Sequence, residues 1–465
     1  MSDSVISAFD GLVAAAPPAA SVPKLDTACV IGGSIAGLLA ARVLSDHARR
    51  VLIIERDELS ATDQSRPGVP QGHQVHTLLP AGHRWIERWL PGFTQEALDR
   101  GAVLADAGAG RVLTAFDGHP QAPSHADHHL LTCSRPFLEA RIRARVLARP
   151  GVSLVRGRAT GLSYRDGAVS AVSYTDGTAE HTLAADFVVD AMGRGSRLSE
   201  WISQDGYDKP ALERLESPIN YATALFERDV ESSYLDVPCA LALCSPGAGP
   251  DGVSVAAANA VEDKQWLVML MGYGDDRPGR TIDDFRAACA ALPPVFAQAT
   301  AGAVTRDIVT YHQAESRRRH FTGLERFPAR LVVVGDAVAS FNPVYGQGMS
   351  SAALHGSCLS AYLAGDPDLT RPATDFFALQ QLVVDAAWAV SAGGDSARLD
   401  ALAGIEPPED VRRQRWALQQ VIGASIVDGS VARSFNDVSY MLRHPATLAD
   451  PALLERAVAA NQNVA

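Results

Sequence analysis

Three stretches of this chain carry residue types whose spacing points to chemistry. Leu331 to Val334 is an all-apolar run that ends at once in Gly335-Asp336, the pattern of a buried parallel strand closing in an acidic turn. Ligands of open α/β sheets bind beyond the carboxyl ends of the strands, so Asp336 is placed to accept hydrogen bonds from a polyol chain. Pro343, Tyr345, Gly346, Gln347, Gly348 and Met349 follow in a punctuated loop that enters an Ala/Ser-rich helix, and its glycines let backbone approach a flat ligand. Far upstream, Thr27 to Ile31 reads as a strand, Gly32-Gly33-Ser34-Ile35-Ala36-Gly37 as a turn, Leu38 to Leu44 as helix, and Val51 to Ile54 as a second strand ending in Glu55. That order is the dinucleotide-binding βαβ unit, in which a pyrophosphate rests on the helix N-terminus and the acidic residue takes ribose hydroxyls. Ser34 stands in place of the middle glycine and still permits close phosphate approach, while Arg56 either flanks the adenine or is solvated. The third stretch, Arg66 to His76, is dense in turn formers and polar groups and reads as an ordered functional loop.

Other elements must position these residues. Ser134 is an N-cap and Pro136 a first-turn residue for a helix through Leu147, with Arg135 at its start and Arg141, Arg143 and Arg145 read as solvent charges. Val152 to Val189 reads as a meander with Asp-Gly turns, finishing in Asp190-Ala-Met-Gly193-Arg-Gly-Ser-Arg197. Runs at Tyr221 to Phe226, Val253 to Ala257 and Trp266 to Met271 suggest one antiparallel sheet, and Phe376 to Val390 and Val411 to Ile426 are helical. Trp85, Ile86 and Trp89 fall on one face of a helix and read as core, His73 reads as structural, and Arg317-Arg318-Arg319-His320 reads as a solvated edge or as countercharge to acidic neighbours or phosphates.

Taken together, the upstream fingerprint and the late strand-loop-helix resemble FAD-dependent monooxygenases of the para-hydroxybenzoate hydroxylase type. Within that group the chain is most similar to the flavin epoxidases of polyether antibiotic biosynthesis and their natural-product-oxidising relatives. The resemblance implies an α/β (α+β) fold: a Rossmann-like FAD-binding domain (26–215, returning at 329–365), an inserted antiparallel-sheet substrate domain (216–328), and a C-terminal helical region (366–465) able to close over a hydrophobic substrate. Residues 1–25 are expected to be a disordered tail, with an amphipathic helix from Val5 to Ala16 as the alternative. In the epoxidase-like group a GVPQ stretch with a following histidine lies against the flavin ring, which implies that role for Val69, Pro70, Gln71 and His76. It implies Arg135 on the FAD phosphate or ribose, and Asp190 near the pyrophosphate. The glycine after Asp190 comes two residues later than in the usual Asp-Gly wording, which leaves open whether NAD(P)H docks there. Gln71, His76 and Tyr345 are the residues implied nearest the chemistry.

Oxygen transfer from a flavin C4a-hydroperoxide requires cofactor holding, a positive locus for the reduced flavin and exclusion of water, and no side-chain nucleophile. The expected function is epoxidation or hydroxylation of a hydrophobic secondary metabolite, an alkene or polyene favoured. Aromatic or indole hydroxylation, prenyl-chain reduction and a non-catalytic flavoprotein are the alternatives. FAD is the expected cofactor, with NAD(P)H as reductant, direct or through a separate flavin reductase, and O2 and a hydrophobic small molecule as partners. The Trp-x-Trp-x-Ile-Pro stretch of tryptophan-type halogenases is missing, as are a Gly-x-Ser-x-Gly elbow and a metal cluster; the knot Ser124 to His129 reads as a polar loop. A net charge of −12 argues against nucleic acid or an anionic membrane surface as partner. Apolar runs too short for a membrane span, no basic signal region and six scattered cysteines point to a reduced, cytoplasmic protein.

Overall fold

The computed structural model describes residues 3–19, 22–58, 64–230 and 235–463. The chain does not begin as a disordered tail. Asp3–Ala14 is a helix, α1, with Phe9 and Leu12 buried; burial of such side chains contributes about 1.5–3 kcal/mol each, which offsets the ordering entropy. The central layer is a five-stranded, wholly parallel sheet. Its order is Leu331–Val333, Phe187–Asp190, β1 (Leu25–Ile31), β2 (Ala48–Glu55) and Val152–Arg156. The strands are apolar because both faces are covered. α2 (Ile35–Leu44) lies between β1 and β2, and the helix Gly348–Ala364 packs on it and on the helix Pro80–Trp89. Gly356 is required there, since a Cβ would sit 2.6 Å from the Trp85 ring, whose Nε1 donates to Ser357 (3.0 Å).

The second layer is an eight-stranded sheet ordered Ala339–Ser340, Val304–His320, Ala211–Glu227, Gln265–Tyr273, Val255–Val261, Cys239–Leu243, Val112–Phe116 and His119–Pro120. Its central strands pair antiparallel, but it also recruits two strands from before residue 121 and one from after residue 338, with Cys239–Leu243 and Val112–Phe116 pairing in parallel. One face packs on the helices Ile282–Ala290 and Pro294–Ala299 through Phe226, Trp266, Phe285 and Phe296. The other face carries Ile219, Tyr221, Val255, Met269 and Met271 and looks back toward the parallel sheet.

The 30-residue helix Thr374–Ala403 is long and apolar enough by composition to cross a membrane, which the short apolar runs did not suggest. Over half of its most apolar stretch is buried, with Phe376, Phe377, Val383 and Trp388 in the core.

Candidate functional site

Between the two sheets lies a cavity of about 650 Å³. Its parallel-sheet side is made by strand ends. Gly32 turns the chain out of β1 at φ +110°, and a Cβ there would meet Ala191 O at 2.4 Å. Ser34 N-caps α2 backbone-wise but does not use its hydroxyl as a cap. Instead its Oγ donates to Glu139 (2.8 Å) and accepts from Arg135 Nη2 (3.0 Å). The first N–H groups of α2 are therefore left open beside a guanidinium, a donor set suited to a pyrophosphate. Burial alone would raise the Glu139 carboxyl, but Arg135 and Arg66 overcome it and hold it at about 2. Glu139 also accepts from Arg66 (2.8 Å) and Arg143 (2.8 Å). Arg143 is thus buried in this cluster rather than a solvent charge.

Gly32, Ser34, Ile35, Ala36, Glu55 and Arg56 all line the cavity. Glu55 braces the turn, accepting from Gly33 N (2.8 Å) and Asp57 N (2.9 Å). Gly33 and Gly37 do not line it. Gly37 is where α2 crosses β1's turn, and a Cβ would stand 1.8 Å from Gly32 O. Asp190 is also turned away. Fully buried, it accepts from Ser196 Oγ (2.5 Å) and Met192 N (2.9 Å), so it builds the turn after its strand, and burial pushes its carboxyl up to about 6.

Asp336 does line the cavity. Its carboxylate makes no hydrogen bond among the described residues and is half-buried at the cavity wall; burial raises its pKa against the pull of Arg194, Arg135 and Arg317. A half-buried carboxylate without a protein partner is free to take donors from a ligand in the cavity. The turn that presents it is held by His355 Nδ1, which accepts from Gly335 N (3.0 Å) and is kept neutral by burial, its pKa lowered to about 3.

Pro343, Tyr345, Gly346, Gly348 and Met349 line the cavity, and Gly346 turns at φ +67°. Gln347 is turned away from it, 2% exposed and bonded to Ser439 O (3.3 Å). What positions this loop was invisible in the sequence. Ser391, Gly394, Asp395 and Arg398 form one face of the long C-terminal helix, spaced at helical intervals. Asn342 N donates to Ser391 Oγ (3.1 Å) and Asn342 Nδ2 to both oxygens of the buried Asp395 (2.9 and 3.1 Å), while Asn342 Oδ1 caps Val344 N (3.1 Å). Tyr273 OH donates to Asp395 (3.3 Å), and Arg398 stacks on its ring at 3.6 Å. The Tyr345 ring faces the cavity, but its hydroxyl points at this helix: a Cβ on Gly394 would lie 2.0 Å from it. That orientation argues against Tyr345 as a proton donor to a ligand and makes it a wall residue.

Val69, Pro70, Gln71 and His76 enter the same cavity from the opposite loop. His76 donates its Nδ1–H to Gln74 O (2.9 Å), and burial with nearby Arg135 lowers its pKa to about 4, so it is neutral. His73 is held by Arg306, which donates to its carbonyl (2.9 Å). Gln74, which the sequence did not single out, lines the cavity and takes a short hydrogen bond from Thr223 (2.5 Å). The wall supplied by the large sheet consists of Val112, Leu113, Thr114, Tyr221, Cys239, Ala240, Leu241, Val255, Ala257, Met269, Tyr311 and Gln313. It contains no Asp, Glu, His, Lys or Arg. Alternation along each strand would have marked Val112, Thr114, Tyr221, Cys239, Leu241, Val255, Ala257, Met269, Tyr311 and Gln313 as one face, with Leu113 and Ala240 on the other, but which face met the cavity depended on the packing of the two sheets.

The fold defines the class: an α/β chain with a Rossmann-like nucleotide-binding core, a second sheet and a helical C-terminal region. Residues 30–90 match the family model of an NAD(P)-binding Rossmann-like domain. The chain is 36% identical over 350 residues to Protein Rv3254 of Mycobacterium tuberculosis (strain ATCC 25618 / H37Rv), covering 72% of each, and it belongs to that protein's family. Among solved structures it shares its fold with the flavin-dependent brominase Bmp2 (TM-score 0.62, 16% identity, 94% of this chain and 99% of that one). The p-nitrophenol 4-monooxygenase PnpA of Pseudomonas putida DLL-E4 also shares it (TM-score 0.60, 16% identity, 90% and 99%).

Proposed function

We propose that the chain is an FAD-dependent monooxygenase that epoxidises or hydroxylates a hydrophobic small molecule, an alkene or polyene favoured. One observation carries the reading: a single cavity joins the α2 turn, the unpaired Asp336 and the two loops at residues 69–76 and 343–349 to a wall without Asp, Glu, His, Lys or Arg. A bound flavin would supply the activation of O2 and the delivery of one oxygen atom. The protein's residues then have separable tasks. The N-terminus of α2, Arg135 and Ser34 hold the pyrophosphate, Glu55 the ribose, and Asp336 the polyol. Gly346, Gly348 and the N-terminus of Gly348–Ala364 line the cavity where the ring would lie, and a helix end of this kind contributes about 1–2 kcal/mol toward negative charge in a partly buried site. Val255, Met269, Leu241 and the Tyr221 and Tyr311 rings exclude water and align the substrate.

The electrostatics favour an alkene over a phenol. A phenol gains from a base that titrates near the working pH, whereas His76, the histidine that lines the cavity, is held neutral with a pKa of about 4. The test is to purify the protein, denature it and identify the released chromophore, then follow O2 uptake with NAD(P)H and a panel of hydrophobic alkenes and arenes. Release of FAD and products heavier by one oxygen atom are expected. A colourless protein that takes up no FAD would overturn the proposal.

A further inference from the structure

The basic run Arg317-Arg318-Arg319 has two faces. Arg318 turns to one side, where it pairs with Glu213 (2.7 Å) and Asp385 (2.8 Å) and lies 4.8 Å from the Trp388 ring. Arg317 and Arg319 alternate to the other side, with Tyr311, Gln313 and Glu315. Tyr311 and Gln313 line the cavity, so this strip leads out of it, and Arg317 lies roughly 13 Å along the strand from Gln313. Arg214 sits directly opposite Arg317 on the paired strand. Arg194, itself a cavity residue, donates to Glu315 O (2.9 Å) and Ser340 Oγ (3.1 Å), and its own carbonyl accepts from Arg317.

Three guanidinium groups therefore share the Glu315 carboxylate, Arg194 at 3.6 Å and Arg214 and Arg317 at 3.8 Å each, all beyond good hydrogen-bond length. Arg214 is 57% exposed and donates no hydrogen bond among the described residues. The buried Nε of Arg317 has no hydrogen-bond partner among the described residues. Burial first, then Arg194 and Arg319, push the Arg317 pKa down to about 10. Like charges directly opposite each other destabilise a sheet. In a protein of net charge −12 this local positive excess calls for an anion.

We propose that Arg194, Arg214 and Arg317 form an anion site at the cavity rim, which takes the phosphate of a small molecule whose other end enters the cavity. Guanidinium groups offer paired N–H donors that match phosphate oxygens. Two sources share this chemistry: the phosphates of a reduced nicotinamide dinucleotide and a phosphate borne by the substrate. The inference goes beyond the monooxygenase reading and uses only the cavity and the charges around it.

The test is calorimetric titration of inorganic pyrophosphate into the FAD-loaded full chain, in which the α2 site is filled. Wild type should bind, and Arg214→Gln and Arg317→Gln should each bind roughly tenfold more weakly, with a shallower dependence on salt. Melting temperatures check that both variants fold, and the exposed Arg214 gives the safer one. Reduced nicotinamide dinucleotide phosphate is titrated in parallel. If its affinity falls with that of pyrophosphate, the reductant is the source; if it is unchanged while pyrophosphate weakens, the phosphate belongs to the substrate. No pyrophosphate binding by wild type, or equal binding by all three proteins, overturns the site. Should the chain take up no FAD, the titration is repeated in an Arg135→Gln background, which weakens the α2 turn and keeps failure of the rim site distinct from failure of the flavin reading.

Discussion

Replacing Asp336 separates ligand binding from folding because the two effects have opposite signs. Its carboxylate is half-buried, has no hydrogen-bond partner among the described residues, and carries a raised pKa caused by burial and only partly countered by Arg194, Arg135 and Arg317. In the free protein that charge is a liability. A raised folded-state pKa means the folded chain holds the proton more tightly than the unfolded chain, so the contribution to stability is present below the unfolded pKa and lost as pH rises through the folded one. Asp336→Ala removes the penalty, and the FAD-free variant should melt at or above the wild-type temperature, with the gain larger at pH 7 than at pH 3.5, below the ordinary carboxyl value of 3.8. In the complex the same carboxylate accepts hydrogen bonds from polyol hydroxyls, and a hydrogen bond to a charged acceptor is worth about 1.5–3 kcal/mol. At 1.4 kcal/mol per tenfold, FAD should bind roughly 10- to 150-fold more weakly. His73→Ala, at a residue whose carbonyl rather than ring takes the better Arg306 contact (2.9 Å against 3.4 Å), should change FAD affinity less than about threefold. Fluorescence titration of FAD and thermal melts of the FAD-free proteins at both pH values decide the matter. Equal losses for the two variants, or a destabilised FAD-free Asp336→Ala, would refute the reasoning.

Asp395→Ala leaves Asn342 Nδ2 and the Tyr273 hydroxyl without their buried acceptor; at about 1–3 kcal/mol for each orphaned group, denaturant unfolding should show a marked loss and FAD should dissociate faster. Gly394→Ala drives a methyl into the Tyr345 hydroxyl, an overpacking cost of about 1–3 kcal/mol, and adding Tyr345→Phe should recover part of it in a double-mutant cycle. His83 and His355, lowered by burial to about 4 and about 3 from the usual 6.5, withhold protons in the folded state. Stability should therefore fall as pH drops below about 6.5, and His355→Gln, which keeps an acceptor for Gly335 N, should flatten that fall in urea titrations between pH 7 and 4.5.

Much of the nucleotide-binding side was legible from local order alone. A strand, a glycine turn, a helix and an acidic strand end specify a βαβ unit because each signal acts within about ten residues, and Gly32, Ser34, Glu55 and Asp336 all stand at strand ends that face one cavity. The sequence misjudged Asp190, Gln347 and Arg143 because side-chain direction depends on partners such as Ser196, Ser439 and Glu139, which lie from four residues to about ninety away. It also ranked the N-terminal helix behind a disordered tail, because α1's burial of Phe9 and Leu12 rests on contacts with the distant helices Gly348–Ala364 and Thr374–Ala403.

The sequence by itself therefore determined the parallel core, the phosphate-cradling turn and the acidic strand ends, since short-range periodicity and turn chemistry suffice for them. Only the tertiary structure decided which face of the large sheet walls the cavity, that Asp395 clamps the loop through Asn342, and that Arg194, Arg214 and Arg317 gather round Glu315 at its rim. Asn342 and Asp395 stand 53 positions apart and Arg194 and Glu315 stand 121 apart, so these arrangements exist only once burial has fixed how sheets and helices pack against each other.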